Sequence, residues 1–520
     1  MKKFIFENKA SILLGVLILA IASFLRLSSL TYLPIFGDEA IYVRWAQVMR
    51  AEPTLRFLPL SDGKQPLFMW VVIPFLKIVS DPLYAGRVVS VLSGIATAGG
   101  VIGLSYLLFK SFKVSLIAAL IYSLSPFSVF FDRMALADSM LSAFGVWSLF
   151  FILLTAKSLR LDFAMIAGFF LGGGLLTKSP ALFYALLAPA AWLFSAFPKK
   201  RKDLAVHLIK LMVLTAVTIG IGYGMYNILR LGPNFHMVGI RNQDYVFAIP
   251  HIWENPKDPF IFHVKEIFQW LWMLGPSVFI LLLLSGLALA FKKYPRQLLI
   301  LVAWAGVPLF AGAMYAKVFT ARYILFSLPP LIIIAALGFL ETKDKIKKVL
   351  IGILVVFVIH SLYINWQLHK DIQKAPLPRS ERSGYLEEWT SGYGIRQVAV
   401  QLREKYISQG SQIVAGTEGY FGTLPDGLQI YLNDLPDVKV FGVGIIIKDL
   451  PQELIDSKKT GNPTYFIINS TRYKGDADEA GLRLVGQYPK ALRPDTTREA
   501  LLFFEVTEAA TVPKEISEQE

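Results

Sequence analysis

Eleven apolar runs of about 17 to 25 residues, near 10–30, 84–108, 115–131, 139–156, 161–177, 180–197, 206–226, 268–290, 297–315, 322–340 and 349–365, decide what this chain can become. Each is long enough to cross a hydrocarbon layer as a helix, the form in which a backbone satisfies its own polar groups there. With 54% of its 520 residues hydrophobic and 17% charged, the chain is too apolar for a soluble globule. The expected fold class is a polytopic α-helical membrane protein. The opening "MKKFIFENKASILLGVLILAIASFLRLSSL" has the basic start and apolar middle of a secretory signal peptide. It reads instead as a first span, because no small-x-small cleavage site follows and many spans do.

One segment, "QPLFMWVVIPFLKIVS" (65–80), is apolar but short and carries Pro66 and Pro74. Counting it as a span would invert everything after it, so charge decides. With the N-terminus cytoplasmic and 65–80 lying along the outer face, Lys2/Lys3/Lys9, Lys110/Lys113, Lys157/Arg160, Lys199/Lys200/Arg201/Lys202, Lys292/Lys293/Arg296 and Lys343/Lys345/Lys347/Lys348 all fall inside. If it crossed, all but the first cluster would move outside. This gives about eleven transmembrane helices, N-in and C-out, with 65–80 as an interfacial or re-entrant helix. The net charge of +14 is therefore a topology signal; it is spread in short clusters between spans, not in the basic stripe of a nucleic-acid binder. Zero Cys excludes disulfides, a thiolate nucleophile and a thiolate metal site.

The outer side then holds a first loop (31–83), a second loop (227–267) and everything after about 366. The stretch 366–506 is more polar, with strand-like "SQIVAGTE", "DVKVFGVG", "PTYFIINS" and "ALLFFEV" between helical "GIRQVAVQLREKY" and "LPQELIDS". That alternation predicts a small extracytoplasmic α/β domain. No Gly-rich phosphate loop follows one of its strands. Residues 1–365 form the expected membrane domain, and 507–520 a disordered tail.

Ionisable groups at span ends are costly, so each is a candidate. Asp38 and Glu39 open the amphipathic segment "FGDEAIYVRWAQVMR"; equally, an acidic pair there favours the helix dipole. Lys64 precedes a proline and reads alone as a solvated lysine; Arg87 reads alone as a snorkelling residue. "SPFSVFFDRMALADSMLS" crowds Asp132, Arg133 and Asp138 into one membrane corner, which demands pairing or a ligand. Lys178 in "GLLTKSP", and Lys317 and Arg322 in "YAKVFTARYILFSLPP", are cations on the side where few are expected, so several of them should face an anion. His236, His251 and His263 lack HxxxH or HExxH spacing and read as ordinary loop polars.

Acids and cations on the outer face fit one chemistry well. A transferase outside the cell has no ATP and needs an activated donor dissolved in lipid, and a sugar on a polyprenyl phosphate is one. Its phosphate leaves without a general acid, provided cations neutralise the growing charge. One carboxylate then deprotonates the acceptor hydroxyl. A two-carboxylate hydrolase would instead need an acid to protonate the leaving oxygen.

In combination, "DEAIY" in the first outer loop, "GKQPLF", "SPFSVFFDRMALADSML", "GLLTKSP" and "RYILFSLPP" resemble glycosyltransferase family 39. That group is related to protein O-mannosyltransferases and to the lipid A aminoarabinose transferase, within the C superfold (GT-C). The resemblance covers roughly 10–365. It implies Asp38 as the base toward the acceptor, with Glu39 supporting it or positioning the donor. It implies Lys64, Arg87, Lys178 and Arg322 as ligands of the donor phosphate, with Arg133 and Asp138 in support. Where the family often has Lys-Pro-Pro, this chain has Lys64-Gln65-Pro66. The resemblance also implies inversion at the anomeric carbon and no catalytic metal, although Asp38, Glu39 and Asp138 have the oxygens a divalent ion would take. The sequence lacks a WWD-type motif, which argues against the oligosaccharyltransferase branch. The sugar and the acceptor, whether protein, lipid or polysaccharide, stay open. The alternative is a multi-pass transporter or flippase, which should show two similar halves and charges deep inside spans; neither is evident. A scaffold acting through 366–520 is a third reading.

Overall fold

The computed structural model describes residues 8–340 and 343–511. Lys2, Lys3 and residues 512–520 of the expected tail lie outside the described residues. Two units divide the chain: the first comprises Met1–Leu30, Glu52–Pro74 and Arg87–Pro378, the second Thr31–Ala51, Phe75–Gly86 and Arg379–Glu520.

The first unit is a bundle of apolar helices, as expected of a polytopic membrane protein. Among the described residues, six stretches are long and apolar enough to cross a membrane unaided: Lys9–Leu27, Pro82–Phe109, Ala137–Ser158, Arg201–Leu231, Pro295–Tyr315 and Asp344–Lys370. Four of the other five expected spans are broken, each with proline at the break. Run 115–131 is a helix Phe112–Leu124 followed by a separate turn Pro126–Phe131. Run 180–197 alternates 3-10 and α turns around Pro180 and Pro189. Run 268–290 becomes Phe260–Met273 and Val278–Ala290, bent by 106° at Gly275-Pro276. Run 322–340 begins as a 3-10 stretch, Ala321–Ser327, before Leu328–Leu337. Proline removes one helix hydrogen bond and its ring clashes with the preceding turn, so hydropathy stays continuous while the helix does not. The exception is Leu161–Thr177, which is unbroken but short.

Segment 65–80 is a helix of 12 residues, Leu67–Ile78. At 1.5 Å per residue it reaches about 18 Å, well short of a hydrocarbon core of about 30 Å. Helices Ala137–Ser158 and Leu161–Thr177 form a tight hairpin, and Arg201–Tyr226 packs on it, with Thr218 Oγ1 donating to the Ala164 carbonyl at 3.0 Å.

The second unit is built on a five-stranded sheet in the order β2-β1-β3-β5-β4. The strands are β1 (Ile413–Glu418), β2 (Val438–Gly444), β3 (Thr464–Asn469), β4 (Leu482–Pro489) and β5 (Ala500–Val506). β1 runs parallel to β2 and β3, while β5 and β4 are antiparallel. Every residue of β1 and β3 is buried, as parallel strands covered on both faces require. Leu454, Phe466, Ile468 and Phe504 centre the core. The helix Gly37–Ala51, which carries the opening acids, belongs to this unit. Its Gln47 Nε2 donates to the Ile430 carbonyl at 2.9 Å, and its Arg44 Nη1 to Asn433 Oδ1 at 2.6 Å. Of the tail, Thr507 donates through Oγ1 to the Gly481 carbonyl and Glu508–Thr511 forms a 3-10 turn.

Candidate active site

In the first unit, Asp138 stands in the first turn of Ala137–Ser158 and Lys178 caps the C-terminus of Leu161–Thr177. An acid at a helix start and a cation at a helix end each suit the local dipole. Because the two helices are hairpin partners, these ends lie together, and Lys178 Nζ donates to Asp138 Oδ1 at 2.5 Å. The carboxylate is buried, while the lysine side chain keeps 22% of its surface accessible. The ammonium also lies 4.3 Å from the centre of the Tyr323 ring, and the Arg322 guanidinium 5.3 Å from the same ring. Lys178, Asp138 and Arg322, far apart in sequence, therefore form one group around Tyr323, with a cation–π contribution to both basic residues.

Lys64 lies on a neighbouring loop. Next to it, Gln65 Nε2 donates to Ser179 Oγ at 2.8 Å, tying the Lys64 loop to the residue that follows Lys178. Lys64 Nζ pairs with Asp62 Oδ2 at 2.8 Å, and the other oxygen of Asp62 accepts from Arg241 at 2.8 and 3.1 Å. Arg241 continues to Asp244 at 2.6 Å, and Asp62 raises its pKa further. Loop 227–267 thus closes over the end of loop 31–83. Gly63 makes this approach feasible: its φ is +69°, and a Cβ would fall 2.6 Å from the Arg241 Cβ. That second loop is fixed in turn at residues 315–317, where Lys317 Nζ donates to the Gln243 carbonyl at 2.7 Å and Phe247 N to that of Tyr315 at 2.7 Å.

Arg87 and Arg133 gather at the end of the first span. Arg87 Nη1 donates to the Leu30 carbonyl at 2.8 Å, and Arg133 Nη2 to those of Ser28 and Ser29 at 2.8 and 2.9 Å. Both cations thus hold carbonyls of the turn that follows helix Lys9–Leu27. Asp132, crowded beside Arg133 in sequence, pairs instead with Arg26 at 2.9 Å, both side chains being fully buried, and also accepts from Tyr122.

In the second unit, the Gly37–Ala51 helix starts with its acids in the first turn. Glu39 is fully buried, and its Oε2 accepts the Phe36 N–H at 3.0 Å, the reach-back half of a capping box. Asp38 is half-buried. Gly37 N donates to the Thr390 carbonyl at 3.1 Å and the Phe36 ring packs 4.4 Å from that of Tyr385, so segment 383–391 fixes where the helix begins.

The structure therefore brings together Asp138, Lys178 and Arg322, and Lys64 through Gln65–Ser179; it sets Arg87 and Arg133 on the carbonyls of residues 28–30, and it holds Asp38 and Glu39 in the second unit. Sequence reasoning passed over Asp62, Arg241, Tyr323 and Arg26, each of which has its partner in a distant segment. His263 hydrogen-bonds the Ala313 carbonyl at 3.2 Å and His251 stacks on Phe247 at 4.1 Å. Among the described residues no group of three or more His, Asp or Glu side chains is placed to hold a metal ion.

Residues 63–222 match the model of the family described as Dolichyl-phosphate-mannose-protein mannosyltransferase. No curated protein matches the chain in sequence. In structure, the chain is similar to ArnT from Cupriavidus metallidurans in the apo state, with a TM-score of 0.61 and 14% identity over 98% of this chain and 100% of that one. It is also similar to the same ArnT bound to undecaprenyl phosphate, with a TM-score of 0.56 and 14% identity over 97% of this chain and 99% of that one. The ArnT-like fold expected from the sequence motifs is the one the structure has.

Proposed function

We propose that this GT-C-fold membrane protein is a glycosyltransferase that moves a sugar from a polyprenyl-phosphate donor to an acceptor hydroxyl on the extracytoplasmic face, inverting the anomeric carbon. The observation that carries the reading is the group formed by Lys178, Asp138, Arg322 and Tyr323, with Lys64 tethered beside it: cations held at the ends of membrane helices suit a phosphate borne by a lipid. The match to a mannosyltransferase family over 63–222, and an ArnT solved with undecaprenyl phosphate bound, support the same donor class.

In this reading Asp38 takes the proton of the acceptor hydroxyl as its oxygen attacks C1 of the sugar. The bond from C1 to the phosphate oxygen breaks, and a phosphodiester with one negative charge becomes a monoester with two. Lys64, Lys178, Arg322 and Arg87 bind that second charge better than the first, so they favour the transition state over the bound donor. Glu39, buried and engaged with the Phe36 N–H, holds the start of the helix that presents Asp38; Asp138 keeps Lys178 in place, and Arg133 holds the end of the first span. The membrane part, 1–365, carries out the transfer, and 366–506 is assigned the acceptor side.

The test is to incubate the purified protein with a panel of polyprenyl-phosphate sugars and measure released polyprenyl phosphate. Release by the natural chain, falling about 10²–10⁴-fold in Asp38→Asn with expression unchanged, is expected. No release from any donor would overturn the proposal and favour transport.

A further inference from the structure

The second unit buries charges that the proposed transfer does not use. In the loop 490–499, between β4 and β5, Glu499 is fully buried and Lys490 is 1% exposed. Desolvation disfavours such groups unless their polar atoms are met, and apolar residues of similar volume are often as stable. Burial pushes the Lys490 ammonium down to about 8, against the pull of Glu499, Glu418 and Glu388. What a buried network of this kind can add is a fixed geometry.

Glu499 anchors the loop to the sheet. Its carboxylate accepts from Thr471 N and Thr471 Oγ1, both at 2.9 Å, and from Ser470 Oγ at 3.1 Å, just beyond β3. It also accepts from Arg493 Nη2 at 2.8 Å, and the same guanidinium holds both oxygens of Glu388, at 3.1 and 2.9 Å. A two-pronged pair fixes direction as well as distance. Beside it, Lys490 Nζ donates to the Glu388 carbonyl at 2.9 Å and Ala491 N to that of Leu386 at 3.0 Å. Residues 386–388 are thereby bolted to the sheet, and a few residues on the chain reaches the opening acids. The Thr390 carbonyl takes Gly37 N, Ser391 lies opposite Phe36 in an antiparallel bridge, and Gly392 N donates to the Ile35 carbonyl at 2.8 Å. Thr423, from the loop after β1, donates its Oγ1 to the same Thr390 carbonyl at 3.1 Å. Asp38 follows Gly37 directly, so its backbone is placed by a chain of bonds that begins at Glu499.

We propose that Arg493, Lys490 and Glu499 are positioning residues for Asp38: through segment 386–392 they set the start of helix Gly37–Ala51 and so aim its first-turn carboxylate. With Asp38 as the base, the reading on which this proposal rests, the C-terminal sheet takes a part in the proton transfer as well as the acceptor side. A network that only stabilised the domain would, when cut, loosen β1 and β3 together with the helix start.

Arg493→Lys keeps the charge and loses the fork. In hydrogen exchange read by mass spectrometry on the full chain in detergent, it should speed exchange of segments 34–40 and 390–393 about tenfold and leave β1 and β3 within about twofold of wild type. Arg483→Ala, which cuts the exposed pair with Glu505 on the same hairpin, should leave every segment within about twofold. In the transfer assay Arg493→Lys should lower kcat about tenfold at nearly constant KM for the donor. Added to Asp38→Asn it should lower the residual rate less than about twofold, because an effect routed through Asp38 vanishes with it. Equal acceleration of exchange across the whole unit, or an equal fall of rate in both backgrounds, overturns the proposal. If Arg493→Lys fails to fold, Glu388→Gln, which keeps the side-chain shape and breaks the same pair, is read in its place. The exchange measurement needs no donor and decides even where none is found. An Asp38→Asn variant that releases as much polyprenyl phosphate as wild type overturns the base assignment and this proposal with it, a failure distinct from loss of the selective exchange.

Discussion

Arg26 and Asp132 show how a charge survives in the middle of an apolar bundle. The guanidinium donates to Asp132 and also to the Ser123 carbonyl and Ser128 Oγ, so its desolvation is offset at several points. Removing one partner strands the other, and Arg26→Met should destabilise the protein by about 3–5 kcal/mol, read as a fall in thermal midpoint in detergent. Arg26→Met/Asp132→Leu should recover much of that loss, and a double variant as unstable as the single would show that the pair is more than a satisfied core ion pair. Outside the spans, Asp426 tests burial through pH. It is buried and accepts from Gly422 N at 2.6 Å, and burial raises its carboxyl from 3.8 to about 6, with Arg44 opposing. Well below pH 3.8 both states are protonated; as pH rises toward 6 the unfolded chain ionises and the folded one does not, so stability falls across that window and stays lower above it. Asp426→Asn, whose amide oxygen can still accept from Gly422, should therefore raise the thermal midpoint at pH 7.5 and raise it much less at pH 4. A gain of equal size at both would contradict this origin.

Between residue and molecule stand elements whose joints do the positioning. The Gln65–Ser179 hydrogen bond joins a loop before one short helix to the loop after another, at the position of the first proline in the Lys-Pro-Pro of the family that the motifs resemble. Stiffness from a ring is exchanged here for a bond across the gap. Gln65→Ala should cost about 1 kcal/mol in the coupling of the two loops and raise KM for the proposed lipid donor several-fold with kcat little changed. Ser179→Ala should match it, and the double variant should be no worse than either; additive effects would show that the two side chains act separately. The same joints mark where sequence reading succeeds and where it stops. Hydropathy located the apolar runs, since burial in lipid writes itself along a contiguous stretch, and short apolar runs found four of the five strands of the C-terminal sheet, while β4 (Leu482–Pro489), half-exposed along its length, was passed over. The breaks at Pro126, Pro180 and Pro276 were visible as letters, yet their consequence depends on whether a neighbour re-satisfies the freed backbone, which is a tertiary fact. Asp138 and Lys178 were legible as costly charges, but their pairing follows from the hairpin of two helices. Asp62 and Arg241, separated by several spans, carry no local signal of each other.

At the scale of the whole chain, every functional assignment presumes which side of the membrane each loop faces. The donor argument rests on there being no ATP outside, so Lys64, Lys178 and Arg322 must share a side with the second outer loop, and the lysine-rich loops that hold Lys200 and Lys343 must lie opposite. The absence of cysteine makes this directly measurable, because a single introduced thiol is the only one to label. Asn255, Ser411 and Lys200 are exposed positions in the second outer loop, the C-terminal unit and a basic loop. With a membrane-impermeant maleimide on intact cells, Asn255→Cys and Ser411→Cys should react, whereas Lys200→Cys should react only after the membrane is opened. The reverse pattern would place the cation group in a compartment supplied with nucleotide, where a lipid-borne donor is no longer required and the case for a polyprenyl phosphate loses its physical ground.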